Sequence, residues 1–337
     1  MQELKPDRLI ESILEYRKSK VLMVAAYLGC FDVLEKPKTA VQTAAALSID
    51  PRATEILLDA LVATDLLRKR SGAYRNSPLA SRFLVSGKPA YLGDNLRYQE
   101  LLWNAWGDLR EIVRKGSTPR PLPHWLDNGA GFTDEYIRGM DNIARMPSRE
   151  IASAVKLDEP RRMLDVGAGP GTYSLAFLRR HPSLHATLLD LPGTLKLSKK
   201  LVGRYPELSA RVDYLAGDYS KTPYGKNRYD LVVLSHITHD EGPETNRKLI
   251  EKSFQALKPG GKILIHDFIV KNDRTAPVFG ALFSVHMLVY TRSGRTYTSR
   301  EYKHWIKDAG FKNTESRAIG VDTRNATNIF VAVKPKR

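Results

Sequence analysis

RRMLDVGAGPGTYSLAF, residues 161–177, followed by HATLLDLPG at 185–193, decides the fold. A short apolar run, Met163 to Val166, ends in three glycines set one residue apart, Gly167, Gly169 and Gly171, and an amphipathic helical pattern begins at Thr172. The next apolar run ends at Asp190. This reads as a strand, a tight turn, a helix and a second strand ending in a carboxylate, the arrangement with which an α/β sheet holds a nucleoside. Glycines let the backbone bend sharply and approach a ligand closely. A carboxylate at the tip of the second strand accepts hydrogen bonds from both ribose hydroxyls. Dinucleotide sites favour G-x-G-x-x-G, which aims a helix N-terminus at a pyrophosphate. Here the third glycine comes one residue early, and Pro170 removes an N–H that a phosphate would use. The turn suits a nucleoside without a pyrophosphate, such as S-adenosylmethionine.

The chain around this stretch has 337 residues, enough for about two domains with a real core. Its 42% hydrophobic and 27% charged content is ordinary for a globular protein. No apolar run approaches the ~18 residues needed to span a bilayer, and the opening MQELKPDRLI carries charges where a signal peptide has its apolar core. Cys30 is the only cysteine, which excludes an intrachain disulfide and a cysteine-built metal site. These features predict a cytoplasmic protein. The net charge of +16 is uneven: residues 1–150 hold 22 basic against 19 acidic residues, or +3, and residues 151–337 hold 31 against 18, or +13. The basic residues are scattered, with a short KPKR tail, and read as a solvated surface.

Three parts are expected along the chain: residues 1–116, 117–154 and 155–337. In the first, 8–31 has helical spacing and ends near Gly29, 39–49 and 51–67 are two short helices, and Ser71-Gly72 joins two halves of a hairpin. Two helices followed by a hairpin is a winged-helix pattern. The second helix carries Glu55, Asp59 and Asp65 against Arg52 alone, which disfavours a nucleic-acid groove and favours packing or dimerisation. A longer helical stretch covers 90–116, STPRPLPHW at 117–125 is a loop, and 132–146 is a further helix bearing Met140, Ile143 and Met146. From there strands are expected near 162–166, 185–190, 211–216, 229–234, 261–267, 314–320 and 328–333. The prediction is a Rossmann-like, doubly wound α/β fold with a mainly parallel seven-stranded sheet.

Ligands of such sheets lie beyond the C-terminal strand ends. Besides the glycine turn and Asp190, the third strand ends in AGDYS, where Asp218 suits an adenine amino group and Tyr219 its ring face. The fourth ends in LSHITHDEG and the fifth in ILIHDF, bringing His236, His239, Asp240, Glu241, His266 and Asp267 to one edge. The HxxHDE spacing is not a metal signature, and no metal is expected. An imidazole is largely neutral at pH 7, and a carboxylate that accepts from its Nδ1–H leaves Nε2 free to take a proton.

LDVGAGPG, LLDLPG, GDYS, LSHITHDE and LKPGGKILIHDF, in this order, resemble the class I S-adenosylmethionine-dependent methyltransferases, and among them the small-molecule O-methyltransferases of the hydroxyindole and plant phenolic type. SGRTYTSREYKHWIKDAGF at 293–311 adds to the likeness, and the N-terminal region matches the family's dimerisation domain. The resemblance implies S-adenosylmethionine as cofactor, S-adenosylhomocysteine as product, and a homodimer joined through the N-terminal domain. It implies a cofactor site of Asp165, Gly167, Gly169, Gly171, Asp190, Leu191, Gly217, Asp218, Tyr219 and Ser235. His239 matches the family's base and Asp267 the acid that orients it. Two positions depart: the tryptophan usual after the His-Asp pair is Glu241, and the second orienting glutamate of plant members is replaced near Thr296.

The function expected is methyl transfer to a hydroxyl of a small aromatic molecule, with C- or N-methylation, or another reaction at the same cofactor site, as alternatives. The acceptor pocket is expected among Trp103, Trp106, Phe132, Met140, Met146, His236, Phe283, His286, Met287 and Tyr290, with His286 a second candidate base. Nucleic acid is not an expected partner, because SHITHDE stands where exocyclic-amine methyltransferases carry an Asn/Asp-Pro-Pro-aromatic loop.

Overall fold

The computed structural model describes residues 6–121, 126, 131–320 and 327–336; part of the 117–125 loop lies outside them. The chain forms two compact units, Met1–Trp103 and Asn104–Arg337, so the division falls earlier than the expected 116/117 boundary and 117–154 is not set apart from the sheet that follows.

In the first unit, the helix Asp7–Tyr27 leads through left-handed Gly29 into Cys30–Val33. Ala40–Leu47 starts from a Thr39–Gln42 capping box, and Pro51–Ala63 is capped by Asp50 with proline in the first turn. β1 (Lys38–Thr39), β2 (Leu67–Arg70) and β3 (Ala73–Asn76) form a small sheet with β3 in the middle. Ser71 and Gly72 both have positive φ, as a two-residue hairpin turn requires. Phe31, Leu34, Leu58, Leu61 and Tyr74 fill its core. Asp59 accepts from both Lys69 and the Tyr74 hydroxyl at 2.8 Å, so one of the basic residues on the hairpin is tied to an acid.

In the second unit, β4 (Arg162–Val166), β5 (His185–Asp190), β6 (Val212–Ala216), β7 (Tyr229–Ser235), β8 (Leu257–Asp267), β11 (Lys312–Ile319) and β12 (Thr327–Val333) form one sheet in the order β11-β12-β8-β7-β4-β5-β6. The β7-β8, β4-β7, β4-β5 and β5-β6 pairs are parallel, and β12 and β11 add antiparallel edges. Alternate residues of the central strands feed opposite faces: Leu164, Val232 and Leu234 enter one buried cluster, Met163, Val233 and Leu264 the other. The chain runs from β4 outward to β5 and β6, then returns to β7 on β4's other side. The β4 tip is therefore a switch point, where doubly wound sheets open a crevice.

Three details lay outside the expectations. The 90–116 stretch is two helices, Gly93–Gly107 and Leu109–Lys115. The 132–146 helix continues through Pro147 to Ala154, where Ile151 and Ala152 are buried in the second cluster. A short parallel pair, β9 (Ile269–Val270) with β10 (Tyr297–Thr298), lies apart from the main sheet. Among the described residues, no helix is long and apolar enough to cross a membrane.

Candidate active site

All three glycines of the turn are left-handed, with φ of 65° at Gly167, 53° at Gly169 and 79° at Gly171. The three glycines have different reasons to lack a side chain. A Cβ at Gly167 would lie 2.5 Å from Ile237 and one at Gly171 2.8 Å from Leu188, whereas one at Gly169 would meet nothing within 4 Å. Gly169 therefore fronts open space. Its N–H donates to Asp190 Oδ2 at 2.8 Å, and the Leu191 N–H donates to Oδ1 at 2.7 Å. Burial raises the Asp190 pKa against the pull of those bonds. Asp165 does not front the crevice: it is 2% exposed and accepts the Ser174 hydroxyl at 2.6 Å, and burial pushes its carboxyl up to about 7. It fastens the start of the Thr172–Arg180 helix beneath the turn.

At the β6 tip, the Gly217 N–H donates to the Asp190 carbonyl at 2.9 Å, joining the two strand ends. Asp218 Oδ1 accepts from the Ser220 N–H and hydroxyl. The Tyr219 hydroxyl donates to Glu241 Oε1 at 2.9 Å. At the β7 tip, Ser235 is buried and bonded to His266 Nδ1 at 2.9 Å, while His266 Nε2 meets Thr327 at 2.7 Å. Both nitrogens of this buried histidine are satisfied, which makes it part of the core.

His239 sits in a 3-10 turn, Thr238–Asp240, just past β7, and Asp267 ends β8. The His239 Nδ1–H donates to Asp267 Oδ1 at 2.6 Å and the His239 backbone N–H to Oδ2 at 3.1 Å. The Thr238 hydroxyl reaches Oδ2 at 2.5 Å, with the Tyr302 hydroxyl 3.2 Å from it, and the Phe268 N–H meets Oδ1 at 2.8 Å. Burial alone would raise Asp267. The imidazolium beside it and the bonds from His239 outweigh burial and hold it well below the usual carboxylate range. Burial opposes charge on His239 too, but Asp267 and Asp240 lift it to about 9. Among the described residues its Nε2 accepts or donates no hydrogen bond; Asp240 lies 3.6 Å away, beyond hydrogen-bond reach.

His236, with φ of 54°, places Nδ1 3.5 Å from Asp267 Oδ1 without a hydrogen bond. His236, His239 and Asp267 bring ligand-competent atoms within 4.8 Å of one another. Both Asp267 oxygens already accept from protein donors.

An aromatic group extends from His239. Phe283 meets its ring edge-on at 4.9 Å between centroids, Phe268 lies 4.6 Å from Phe283, and Phe279 packs on both. His286 follows at 5.5 Å from Phe283, near-parallel to Trp106 and Tyr290. Burial and the His239 charge lower His286 to about 4, so it is much the weaker base of the two. Phe268 and Phe279 were not expected here; the only sequence signal for Phe268 was its position after Asp267.

Of the remaining expected pocket residues, Met287 and Tyr290 are buried on the Val278–Tyr290 helix. Phe132 is buried and stacked on Tyr136, and Met140 is half-buried one helical face along. Met146 is 81% exposed, the opposite of what an enclosing wall requires, because the helix turns that side outward. Trp103 belongs to the first unit, 6.5 Å from Tyr16 and beneath Lys20.

Residues 116–312 match the model of the O-methyltransferase domain, and residues 10–86 that of the O-methyltransferase dimerisation domain. The chain belongs to the O-methyltransferase family. It is thereby an S-adenosylmethionine-dependent methyltransferase. It is 34% identical to 3-hydroxy-5-methyl-1-naphthoate 3-O-methyltransferase of Streptomyces sahachiroi, over 94% of this chain and 92% of that one. It is 29% identical to the N,N-dimethyltransferase OxyT of Streptomyces rimosus, over 97% and 96%. The structure of human N-acetylserotonin methyltransferase in complex with SAM superposes with a TM-score of 0.87 at 25% identity, covering 99% of each chain.

The strand tips fit the cofactor of this O-methyltransferase. Open space in front of Gly169 and the Asp190 carboxylate beside it form a cradle that any side chain at 169 would fill. The two family departures have structural answers. Glu241 stands where the tryptophan would be and is bonded to Tyr219. Thr296 is buried and donates to the Gly280 carbonyl at 2.6 Å, so it does not reach His239; Thr238 and Tyr302 brace Asp267 instead.

Proposed function

We propose that this O-methyltransferase moves a methyl group from S-adenosylmethionine to a hydroxyl of a small aromatic acceptor, with His239 as general base and Asp267 as the group that orients it. The cofactor supplies a methyl already activated on a cationic sulfur. Asp190 and the Gly169 turn hold its ribose end, and Asp218 and Tyr219 its base. The aromatic group around Phe283 takes the flat acceptor and keeps water from the reacting oxygen. A phenol has a pKa near 10, so its oxygen is a weak nucleophile at pH 7 until a base takes the proton. His239 Nε2 receives it in the neutral form of the ring, which the bound sulfonium favours, and Asp267 stabilises the imidazolium that results. A cation held at the neighbouring strand tips opposes that imidazolium. The His239 pKa in the loaded enzyme is therefore below its value in the free chain.

The observation that carries this reading is the 2.6 Å His239–Asp267 contact with Nε2 left unpaired beside Phe283. The test is S-adenosylhomocysteine formation, followed by mass spectrometry, with a panel of phenols, quinols and hydroxyindoles. Product with the wild type and a loss on the order of 10²-fold or more in His239→Ala supports it; full turnover in the variant refutes the base. A second reading, transfer to an amine nitrogen, is favoured by the likeness to OxyT, and arylamines in the same panel separate the two. The exposed Leu9, Ile10 and Ile13 and the matched dimerisation domain support a homodimer formed through the first unit.

A further inference from the structure

We propose that Gly294 is a positioning residue for methyl transfer: the loop that bears it, between the Val278–Tyr290 helix and β10, presses its backbone on the Thr238–Asp240 turn and so fixes where His239 sits relative to the helix that carries Phe279 and Phe283. This rests on His239 being the base.

In SGRTYTS, residues 293–299, Gly294 is the one residue without a side chain. Its φ is not left-handed, so backbone freedom does not account for it; space does. A Cβ at 294 would run into the His239 carbonyl oxygen, and would lie 2.7 Å from the Asp240 carbonyl carbon and 2.6 Å from Thr291 Oγ1. Two of these three are backbone atoms, which have no rotamer to turn aside. The loop and the turn meet closely a few residues on as well, where a Cβ at Gly242 would lie 3.2 Å from Ser293 Oγ.

The loop is fastened at both ends. Thr291 caps the helix, its hydroxyl donating to the Met287 carbonyl at 2.8 Å, and accepts the Gly294 N–H at 2.9 Å. Thr296 is 1% exposed and ties the loop back to the same helix, with its hydroxyl on the Gly280 carbonyl at 2.6 Å and its N–H on Ser284 Oγ at 3.2 Å. Beyond it, Tyr297 and Thr298 pair with Ile269 and Val270, which follow Asp267 closely in sequence. The buried Tyr297 hydroxyl donates to the Glu241 carbonyl at 2.5 Å, and Asn246 Nδ2 holds the turn through the Thr238 carbonyl at 2.8 Å. One loop thus touches the helix beside the site, the strand that follows Asp267 and the turn that carries His239. Thr296, at the position where plant members have a glutamate, belongs to this fastening.

With loop and turn both tied down, a methyl at 294 has to displace one against the other, and the His239 carbonyl takes the push. A displacement of about 1 Å in a reacting group costs on the order of 10²-fold in rate. The two bonds from His239 to Asp267, at 2.6 and 3.1 Å, lengthen with the same movement.

The test compares wild type, Gly294→Ala, Tyr297→Phe, His239→Ala and the double variant Gly294→Ala, His239→Ala, each shown to be folded by its thermal melt. The readouts are S-adenosylhomocysteine formation at saturating phenol and cofactor, and S-adenosylhomocysteine affinity by calorimetry. Gly294→Ala should lower kcat by about 10- to 100-fold with cofactor affinity within about threefold of wild type. The pKa in its kcat/KM profile should fall from about 9 toward the ordinary histidine value, a shift that a merely loosened fold does not produce. The double variant should be no more than about twofold slower than His239→Ala, because the glycine acts through the histidine. Tyr297→Phe, which removes one hydroxyl and adds no bulk, should lose about three- to tenfold in kcat and carries the test should Gly294→Ala not fold. A folded Gly294→Ala with wild-type kcat overturns the proposal. So does a loss that multiplies in full on top of His239→Ala, or one matched by an equal loss of cofactor affinity. His239→Ala alone keeps the two failures apart: its full turnover would sink the base and this proposal together, whereas a slow His239→Ala beside a fully active Gly294→Ala sinks this proposal only.

Discussion

Asp267 holds His239 at two points, with Oδ1 2.6 Å from the ring Nδ1 and Oδ2 accepting the backbone N–H at 3.1 Å. The carboxylate thus fixes both where the residue sits and which way its ring faces. Asp267→Asn keeps the volume but removes the charge that stabilises the imidazolium. It should lower kcat by about 10² or more and bring the His239 pKa down toward its ordinary value, while S-adenosylhomocysteine affinity by calorimetry changes little. Unchanged kcat would mean that the pair is a structural contact.

The pH dependence has a definite sign. With His239 near 9 in the free chain, kcat/KM should rise with pH and level off near there. The corresponding pKa in kcat should be lower, because a bound cation disfavours the imidazolium. Stability follows the same groups. The raised His239 pKa contributes stability that is full below about 6.5 and is lost as pH rises through about 9. The lowered Asp267 pKa contributes stability that is present above about 3.8 and is lost as pH falls below it. The melting temperature should decline between pH 6.5 and 9 in the wild type and decline less in His239→Gln. Parallel profiles for the two proteins would remove the ion pair from the explanation.

Gly169 and Asp190 should act on cofactor affinity alone. Gly169→Val puts a branched side chain at φ +53° into the open space before the turn. Asp190→Ala deletes the carboxylate between the two N–H donors. Each should weaken S-adenosylhomocysteine binding by roughly 10- to 100-fold. Full affinity in both would place the nucleoside elsewhere.

The first unit should carry self-association. Leu9 and Ile13 are 68% and 60% exposed on the Asp7–Tyr27 helix, too much apolar surface for a face left in water. The double variant Leu9→Glu, Ile13→Glu should shift the chain toward monomer in analytical ultracentrifugation, while the isolated fold of each unit is kept. A monomeric wild type, or an undisturbed dimer in the variant, would show that this face joins nothing.

The central strands of the second unit were readable because they carry short apolar runs buried on both faces, as Leu231–Leu234 and Ile263–Ile265 are. The glycine turn and Asp190 were readable because backbone demand and ligand demand fall on adjacent residues. Other features had no local signal. Tyr302 reaches Asp267 across 35 residues of sequence and Thr238 across 29; both lie in stretches that carry the resemblance, but nothing local in them marks that contact. Asp165 stood in the cofactor set that the resemblance implies; in the structure its side chain is buried and accepts from Ser174. Met146 was placed on a helix face whose orientation depends on how the whole helix packs through Pro147.

The most direct measurement compares wild type and His239→Ala over a series of phenols of falling pKa, reading S-adenosylhomocysteine formation at pH 7. If His239 takes the acceptor proton, the defect is on the order of 10²-fold or more for a phenol near pKa 10. It shrinks toward nothing for one already ionised in solution. A defect of the same size across the series, or none at any acceptor, would contradict the assignment.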